Sequence, residues 1–269
     1  MSNLRWYPPT LIDEAALVSA IRDLPRFGSV RYSVGTDSTQ LRALEVLHRL
    51  DALGISFVTE SQDVGRGRAG RRWTSPPAAG LLFSTVLPVD LSASSLPAVG
   101  FWSSLCVADA VASVCGITLG LKWPNDLLLD AYKCAGILTE GRSAGSTTRV
   151  VVGVGVNVNR PAEVSADVRA GAAWLSDGVG RAVDRTALLA EILRLYEARF
   201  DELLGDPHAV IGRWAARAGL RGQRVAVKSV DGGLLHEGVV LDVAPNGALV
   251  LETAQGMVSV MLGDVDVLA

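Results

Sequence analysis

The sequence predicts an α+β fold in which helices flank a mixed β-sheet, followed by a small β-barrel of the SH3-like type. Helical and strand-like stretches are interspersed over the first 218 residues, whereas only short strands and turns follow from residue 219. A chain of 269 residues is long enough for one large domain and one small domain. We therefore predict one domain over residues 1–218 and a second over residues 219–269.

The first predicted helix begins near residue 38. Asp37 and Gln40 resemble a capping box, and leucines then recur near helical spacing as far as Leu53. Strands are predicted over residues 55–60 and 81–87, because both segments are rich in β-forming residues and are bounded by Gly or Pro. A loop rich in glycine and arginine separates these two strands.

An apolar segment over residues 96–119 is long enough to raise the question of a membrane span. It carries Ser103, Ser104, Asp109 and Ser113 at intervals that a lipid-facing helix does not favour. We therefore predict a buried central helix and no membrane partner. The start of the chain lacks the basic and apolar regions of a signal peptide, so we expect a cytoplasmic protein.

Further strands are predicted around a polar turn and then along a valine-rich segment. Residues 119–123 and 127–129 flank the turn Pro124-Asn125-Asp126, residues 134–140 pair with them, and residues 149–159 continue the sheet. In this last segment valine alternates with Gly or Asn. One face of the strand is therefore bulky and the other is small or polar, so a ligand can approach the sheet closely there.

The C-terminal quarter changes from helices to short strands. Helices are predicted over residues 184–204 and 206–218, and strands over residues 224–230, 234–243, 248–253 and 257–262. Asn246-Gly247 lies between alternating hydrophobic residues, which is a strong hairpin signal. These strands constitute the predicted SH3-like barrel.

The composition restricts the kinds of site that the chain can contain. Lys and Arg number 25 against 28 Asp and Glu, a net charge of −3, so no global field draws the protein to nucleic acid or to an anionic membrane. The three cysteines have no CxxC spacing and the three histidines are scattered, which does not favour a zinc site. Any anion site must therefore be local.

The segment from Gly65 to Arg72 is the strongest candidate for such a site. It contains four arginines and three glycines, and Trp73 follows directly. Glycines let the backbone wrap closely around an anion, and guanidinium groups offer paired donors to carboxylate or phosphate. The alternative is a solvated surface loop. Because the four arginines repel one another, we expect the loop to be mobile without an anion and ordered with one.

Five motifs in order resemble those of biotin protein ligases. Residues 65–73 resemble the glycine-arginine motif of the family, and residues 122–126 its KWPND segment. Residues 133–138 match K-x-x-G-I-L, residues 153–157 match G-x-G-x-N, and residues 37–39 match the D-S-T that begins a catalytic helix. The resemblance covers the chain from about residue 30 onward. It implies a class II synthetase or biotin ligase-like sheet and an enzyme that joins biotin to a protein.

The resemblance also implies roles for individual residues. Those implied for biotin are Ser38, Thr39, Gln62, Arg66, Gly67, Arg68, Lys133 and Gly136. Those implied for ATP are Gly65, Arg66, Arg68, Arg71, Trp73, Lys122, Asn125 and Asn157. Lys133, Arg68 and Asp126 are the implied catalytic residues, with Mg²⁺ accompanying ATP and no dedicated metal ligands. Gln40 and Ala69 depart from the family, which often has Asn and Arg there.

The implied chemistry explains why these residue types are needed. A carboxylate is a poor acyl donor, so biotin must first attack the α-phosphate of ATP, which brings two anions together. Arg66, Arg68 and Lys133 can offset this repulsion where charge develops. Asp126 can orient the acceptor lysine of a biotin carboxyl carrier domain of an acyl-CoA carboxylase and help it lose its proton. Trp73 either covers the adenylate or belongs to the core, and both interpretations stay open.

Three other functions compete with biotin ligation. An arginine-glycine loop also suits a nucleic-acid-binding regulator, but only about thirty residues precede Asp37, too few for a helix-turn-helix domain, and we expect no specific DNA binding. Gly153-x-Gly155 resembles part of a dinucleotide-binding fingerprint, but its third glycine and its following helix are missing. A lipoate-protein ligase is similar in fold and chemistry, and the arginine-rich loop with the C-terminal barrel favours biotin.

Overall fold

The computed structural model describes residues 7–8, 10–164 and 171–268. Two β-sheets organise this part of the chain, a seven-stranded sheet and a five-stranded C-terminal sheet. The expectation about a signal peptide concerns the start of the chain, and residues 1–6 lie outside the described residues.

The large sheet has the strand order β1-β2-β3-β7-β6-β5-β4. Its strands are β1 (Ser29–Ser33), β2 (Ile55–Thr59), β3 (Gly80–Val86), β4 (Gly120–Lys122), β5 (Asp126–Leu129), β6 (Tyr132–Ala144) and β7 (Thr147–Asn157). Strands β1 and β2 are parallel, whereas the other neighbouring strands are antiparallel. The prediction of a mixed sheet is confirmed.

The valine-rich strand β7 has the two unlike faces that its period-two pattern predicts. Val152, Val154 and Val156 face the main hydrophobic core, together with the buried residues of the helices on that side. The alternate positions include Gly153 and Gly155, which face the opposite side of the sheet. This side is therefore shallow enough for other groups to lie on the sheet.

Helices cover both sides of the large sheet. They are α1 (Glu14–Ile21), α2 (Thr39–Val46), α3 (Leu96–Cys115), α4 (Leu175–Val179), α5 (Arg185–Gly205) and α6 (Pro207–Ala218). Helix α3 is long and apolar enough to span a membrane, but 72% of its most apolar stretch is buried inside the structure. It is the central core helix that the sequence predicts.

The start of helix α2 differs from the predicted capping box. Asp37 accepts hydrogen bonds from the Ser38 backbone at 2.6 Å and from Arg42 at 2.6 Å, and does not cap the helix. The Thr39 N–H donates instead to Gln62 Oε1 at 2.8 Å. Partial burial acts to raise the pKa of Asp37, but these hydrogen bonds outweigh it and lower the pKa. The helix ends at Val46, since Leu50–Ala52 forms a separate 3₁₀ turn.

A buried ion pair joins the large sheet to helix α5. Arg185 Nη1 lies 2.7 Å from Glu60 Oε2, and both side chains are 1% exposed. Glu60 Oε1 accepts hydrogen bonds from the Ile12 N–H at 2.7 Å and the Tyr32 hydroxyl at 2.8 Å. Because a buried charge requires partners, this network fixes the segment before α1 against β1 and β2.

The C-terminal sheet has the strand order β11-β10-β9-β8-β12, and all its neighbouring strands are antiparallel. Its strands are β8 (Arg224–Lys228), β9 (Leu234–Val243), β10 (Leu249–Thr253), β11 (Gly256–Val260) and β12 (Asp264–Val267). The predicted hairpin at Asn246-Gly247 joins β9 to β10. Strands β11 and β12 are the edges of this sheet, so the closed barrel that the sequence predicts is not confirmed.

Candidate active site

A cavity of about 110 Å³ opens on the glycine face of strands β6 and β7. The glycine-arginine loop covers it, and the N-terminus of α2 borders it. Its lining residues are Ser38, Thr39, Gln40, Gln62, Arg66, Gly67, Arg68, Arg71, Arg72, Trp73, Phe83, Ser84, Asn125, Lys133, Gly136, Ile137, Leu138, Gly153, Val154 and Gly155. All five sequence motifs contribute lining residues, and the KWPND segment contributes Asn125.

The glycine-arginine loop folds back on itself as a small hairpin. The Trp73 N–H donates to the Gly65 carbonyl at 3.0 Å, and the Gly67 N–H donates to the Arg71 carbonyl at 2.8 Å. At its tip Ala69 and Gly70 have φ values of 53° and 76°. This left-handed turn divides the loop into a first arm, residues 65–68, and a second arm, residues 71–73. Arginines of both arms line the cavity.

Two arginines on the first arm contact the large sheet. Arg66 Nη2 donates to Glu140 Oε1 at 2.9 Å, and Arg68 Nη1 donates to Asn125 Oδ1 at 3.0 Å. Partial burial lowers the pKa of Arg68 from its usual value, an effect that nearby Asp126 opposes. Arg68 remains a cation at neutral pH, because an arginine pKa starts above 12.

The second arm is held by other parts of the chain. Arg71 donates to both carboxylate oxygens of Asp264 at 2.8 and 3.1 Å, and Arg72 donates to the Asp63 carbonyl at 2.6 Å. Every arginine of the loop therefore has a protein acceptor, which reduces the mutual repulsion expected from the sequence. Mobility of the loop without an anion stays a prediction.

Lys133 lies on β6 at the cationic end of the cavity. Its Nζ is 2.7 Å from Asp126 Oδ1 and 5.6 Å from the centre of the Trp73 ring. The Ala173 N–H and the Asn157 side chain donate to the Lys133 carbonyl at 2.9 and 3.4 Å. The backbone of Lys133 is thus fixed on one side while its ammonium group reaches the cavity.

The turn that contains Asn125 is attached to β6 by two hydrogen bonds. Asn125 Nδ2 donates to the Ile137 carbonyl at 2.8 Å, and the Ile137 N–H donates to the Asn125 carbonyl at 2.9 Å. Asn125 Oδ1 remains available to hold Arg68. This turn therefore positions both Arg68, through Asn125, and Lys133, through Asp126.

The opposite end of the cavity is neutral and polar. Thr39 Oγ1 lies 2.9 Å from Ser84 Oγ, and 3.2 Å from Gln62 Oε1. Ser38 Oγ and both amide atoms of Gln40 are buried and have no hydrogen-bond partner in the described part of the chain. Buried polar atoms normally have partners, so these atoms indicate a polar ligand at this end.

Trp73 lies flat on the glycine face between the two ends. A Cβ atom added to Gly155 would be 2.5 Å from the indole Cε2, and one added to Gly136 would be 3.1 Å from Cζ3. Gly155 is therefore required for the ring to lie there, whereas a Cβ at residue 136 would make a tight contact with the edge of the ring. Trp73 is half-buried and lines the cavity, which separates it from the fully buried tryptophans of the core.

The structure brings most of the predicted site residues together at this cavity. The predicted residues that lie outside its lining are Gly65, Lys122, Asp126 and Asn157. Asp126 and Asn157 contact Lys133, and the Gly65 carbonyl accepts from Trp73. Lys122 does not line the cavity and forms an ion pair with Asp266 at 3.2 Å, next to the Asn125 turn. Gln40 also lines the cavity but is not among the predicted site residues. Its position directly after Asp37-Ser38-Thr39 is the sequence signal that could have identified it.

Comparison with known proteins relates the whole fold to one family. Residues 34–157 match the Biotin/lipoate A/B protein ligase family, and residues 221–268 match the Biotin protein ligase C terminal domain. A Biotin--[acetyl-CoA-carboxylase] ligase of Mycobacterium tuberculosis is 34% identical over 220 residues, which cover 80% of this chain and 79% of that protein. The corresponding ligase of Paracoccus denitrificans is 32% identical over 230 residues, 82% of this chain and 93% of that protein.

Solved structures agree in fold. The Biotin protein ligase from Aquifex aeolicus in complex with biotin and ATP has a TM-score of 0.72 at 24% identity, covering 89% of this chain and 98% of that one. Given the sequence relatives, whose length this chain largely covers, and the order of the motifs around one cavity, the chain belongs to the biotin protein ligase family.

Proposed function

We propose that this protein activates biotin with ATP as biotinyl-5'-AMP, releases pyrophosphate, and transfers the biotinyl group to a lysine of a partner protein. The observation that carries the proposal is the two-ended cavity. Unpartnered neutral polar atoms lie at one end, and arginine and lysine cations lie at the other. Biotin has the matching chemistry, a neutral ureido group at one end and a carboxylate at the other.

The neutral end receives the ureido group. Ser38, Thr39 and Gln62 supply donors and acceptors there, and Gln40 adds the two amide atoms that lack partners. Gly136 leaves room for the Trp73 ring and the Lys133 side chain, which both border the ligand. In this arrangement the valeryl chain runs past the Trp73 ring toward Lys133.

The cationic end carries the first chemical step. A biotin carboxylate oxygen attacks the α-phosphorus of ATP, the bond to the β-phosphate oxygen breaks, and pyrophosphate leaves. Arg68 and Lys133 neutralise the carboxylate and the α-phosphate as they approach, and Arg66, Gly65 and Gly67 assist from the loop. Trp73 covers the adenylate. Arg71, Asn125 and Asn157 complete the nucleotide side, and Lys122 approaches it from the edge.

The second step needs a neutral acceptor amine. The amine attacks the acyl carbon of biotinyl-5'-AMP, AMP leaves, and the amine loses one proton. Asp126 is the nearby carboxylate, although its first partner in the structure is Lys133 at 2.7 Å. We assign Asp126 two successive tasks, orienting Lys133 during activation and orienting the acceptor lysine during transfer.

Mg²⁺ fits this site as a companion of ATP. No cluster of three or more His, Cys, Asp or Glu side chains that suits a metal occurs among the described residues. Mg²⁺ commonly keeps several waters and binds through one or two carboxylates together with substrate phosphates. Because Asp126 and Asn125 already hold Lys133 and Arg68, the phosphates and water would supply most of the ligands of such an ion, and its charge would assist pyrophosphate release.

The acceptor and the organisation of the chain are proposed on the same basis. The family relatives are named for acetyl-CoA carboxylase, which supports a carrier domain of an acyl-CoA carboxylase as the acceptor. We retain the division into domains at 1–218 and 219–269, with the C-terminal sheet as an open form of the SH3-like barrel. A cytoplasmic location suits an enzyme that uses ATP and a carboxylase.

The test is to incubate the protein with ATP and either biotin or lipoate and to measure pyrophosphate release. Enzyme-bound biotinyl-5'-AMP is then identified by mass spectrometry. Release with biotin alone supports the proposal, and release with lipoate alone favours a lipoate-protein ligase. If neither acid causes release, the protein does not catalyse this reaction.

Substitutions connect the activity to the cavity. Lys133→Ala and Arg68→Ala should each lower kcat/KM for adenylate formation by about a hundredfold or more, because each removes a charge that stabilises the transition state. Arg224→Ala is the matched control, since Arg224 forms an exposed ion pair with Glu237 in the C-terminal sheet. If Lys133→Ala and Arg68→Ala formed the adenylate as fast as Arg224→Ala, the reaction would take place outside this cavity.

A further inference from the structure

Two aspartates of the C-terminal sheet hold cations of the candidate active site. Asp264 and Asp266 alternate along β12, so they lie on the same side of that edge strand. Asp264 binds Arg71 through both carboxylate oxygens. Asp266 lies 3.2 Å from Lys122 and 2.9 Å from Lys228.

Both contacts connect the C-terminal sheet to the nucleotide side of the cavity. Arg71 belongs to the second arm of the glycine-arginine loop, and Lys122 ends the strand before the Asn125 turn. That turn has a further attachment, because Trp123 is 1% exposed and its Nε1 donates to the Gly247 carbonyl at 3.0 Å. The C-terminal sheet therefore fixes both segments that approach the phosphates.

In the described part of the chain, the biotin side of the cavity has no such attachment to the C-terminal sheet. The Thr39 N–H donates to Gln62 Oε1, and Thr39 Oγ1 lies 2.9 Å from Ser84 Oγ of β3, so these hydrogen bonds stay within the large sheet and α2. A substitution in β12 should therefore change ATP binding more than biotin binding. This asymmetry separates a specific role from general stabilisation.

We propose that Asp264 and Asp266 are positioning residues for the adenylation step, holding Arg71 and Lys122 where the phosphates of ATP bind without touching the substrate. The inference rests on the proposed function. Arg71 and Asp264 are 43% and 33% exposed, so the pair contributes little to stability and its effect is chiefly one of orientation. Two-point attachment fixes the plane of the Arg71 guanidinium, which a single contact would leave free to rotate.

Asp266 orients Lys122 in the same way, although the lysine side chain is more flexible than that of Arg71. Hydrogen bonds from Lys228 and Lys122 lower the pKa of Asp266, so it stays ionised at neutral pH. Lys122 can leave Asp266 for a phosphate oxygen at little cost, because Lys228 lies 2.9 Å from Asp266 and continues to neutralise the aspartate. Strand β12 thus holds Lys122 close to the site between catalytic cycles.

The experiment measures adenylate formation in Asp264→Asn, Asp266→Asn and the double variant. Each single substitution should raise KM for ATP by about three- to tenfold, with kcat changed by less than about twofold. The dissociation constant for biotin without nucleotide should stay at the wild-type value. Asp264→Glu keeps the carboxylate and should recover most of the wild-type KM.

The control is Glu237→Gln, which removes an exposed ion pair of the same sheet that has no contact with the loop. An unchanged KM for ATP in the double variant would overturn the inference. A lower KM would also overturn it, because the aspartates would then compete with ATP for Arg71 and Lys122. Equal weakening of biotin and ATP binding with lower thermal stability would show a structural role only, and also overturns it. If the wild-type protein forms no adenylate, the proposed function itself fails, and that result is distinct from all of these.

Discussion

At the scale of single residues, two glycines decide where Trp73 lies. Gly155 and Gly136 leave no side chain between the indole and the sheet, and the ring takes that space. A methyl group at residue 155 would lie 2.5 Å from the ring, closer than real Cβ contacts permit. Trp73, which we propose covers the adenylate, is therefore positioned by the absence of a Cβ atom at Gly155 on β7.

Gly155→Ala should displace Trp73 and weaken nucleotide use. We expect kcat/KM for ATP to fall by at least about fivefold, the low end of an overpacking cost of about 1–3 kcal/mol. The measurement is steady-state pyrophosphate release. Gly212→Ala is the control, because a Cβ there meets no atom within 4 Å and the residue lies inside α6, where alanine favours the helix. Wild-type activity in Gly155→Ala would mean that Trp73 does not act where it lies.

Residue identity was predictable from motifs, but side-chain direction was not. The motifs identified Lys133, Arg68 and Ser38, which the fold brings to one cavity. They could not show that Lys122 turns toward Asp266, since Asp266 is 144 residues further along the chain. Gln40 departs from the family pattern and is therefore not among the residues that the resemblance implies, yet its buried amide lacks a partner in the described part of the chain and lines the cavity.

Tyr32 provides a test of the buried network by pH. Burial, together with its hydrogen bond to Glu60, raises the pKa of Tyr32 to about 12. The native state therefore favours the neutral phenol, and this stabilisation is complete below the unfolded pKa of about 10 and disappears as pH rises to about 12.

The measurement compares urea unfolding of the wild-type protein and Tyr32→Phe across that range. The wild-type protein should lose more unfolding free energy than the variant between about pH 10 and about pH 12. The difference between the two proteins isolates Tyr32 from lysines and other tyrosines that titrate nearby. Parallel pH profiles would show that Tyr32 is not held neutral by Glu60.

At the scale of elements, the helices and strands with a clear hydrophobic pattern were the ones that could be predicted. Alternating valines predict strand β7, and a long apolar run predicts helix α3. Helix α1, β1 and β12 have eight, five and four residues, and their sequences show no clear period. These elements are specified by tertiary contacts instead, as the hydrogen bond from Ile12 to Glu60 illustrates.

The glycine-arginine loop is the element whose order should depend on ligands. Its partners Glu140 and Asp264 are partly exposed, and three glycines make its ordering costly. We expect amide-exchange protection of residues 65–72 to rise when biotin and ATP are both bound, because anions add acceptors to the same arginines. The turn at residues 231–233, remote from the cavity, serves as the internal control. Equal protection of the loop with and without ligands would contradict the prediction.

At the scale of the whole molecule, one hydrophobic core extends across the predicted domain boundary. It contains Trp214 from α6 together with Val225, Val240 and Leu249 from the C-terminal sheet. The Phe101 ring of α3 lies 4.6 Å from that of Trp214, and a Cβ on Gly247 would lie 3.0 Å from Phe101. A change of composition at residue 219 thus marks a change of architecture without a break in packing.

Continuous packing predicts that the two sheets unfold together. Losing the C-terminal sheet would expose Trp214, Phe101 and the Trp123 hydrogen bond to Gly247, so a half-unfolded state is costly. Urea unfolding followed by tryptophan fluorescence and by far-ultraviolet circular dichroism should give one transition with coincident midpoints. Trp123→Phe, which leaves the Gly247 carbonyl without its donor, should lower the unfolding free energy by about 1–3 kcal/mol while keeping a single transition. Two separate transitions in the wild-type protein would instead show that residues 219–269 fold independently, and the attachment of β12 to the arginine loop would then vary with the folding of that sheet.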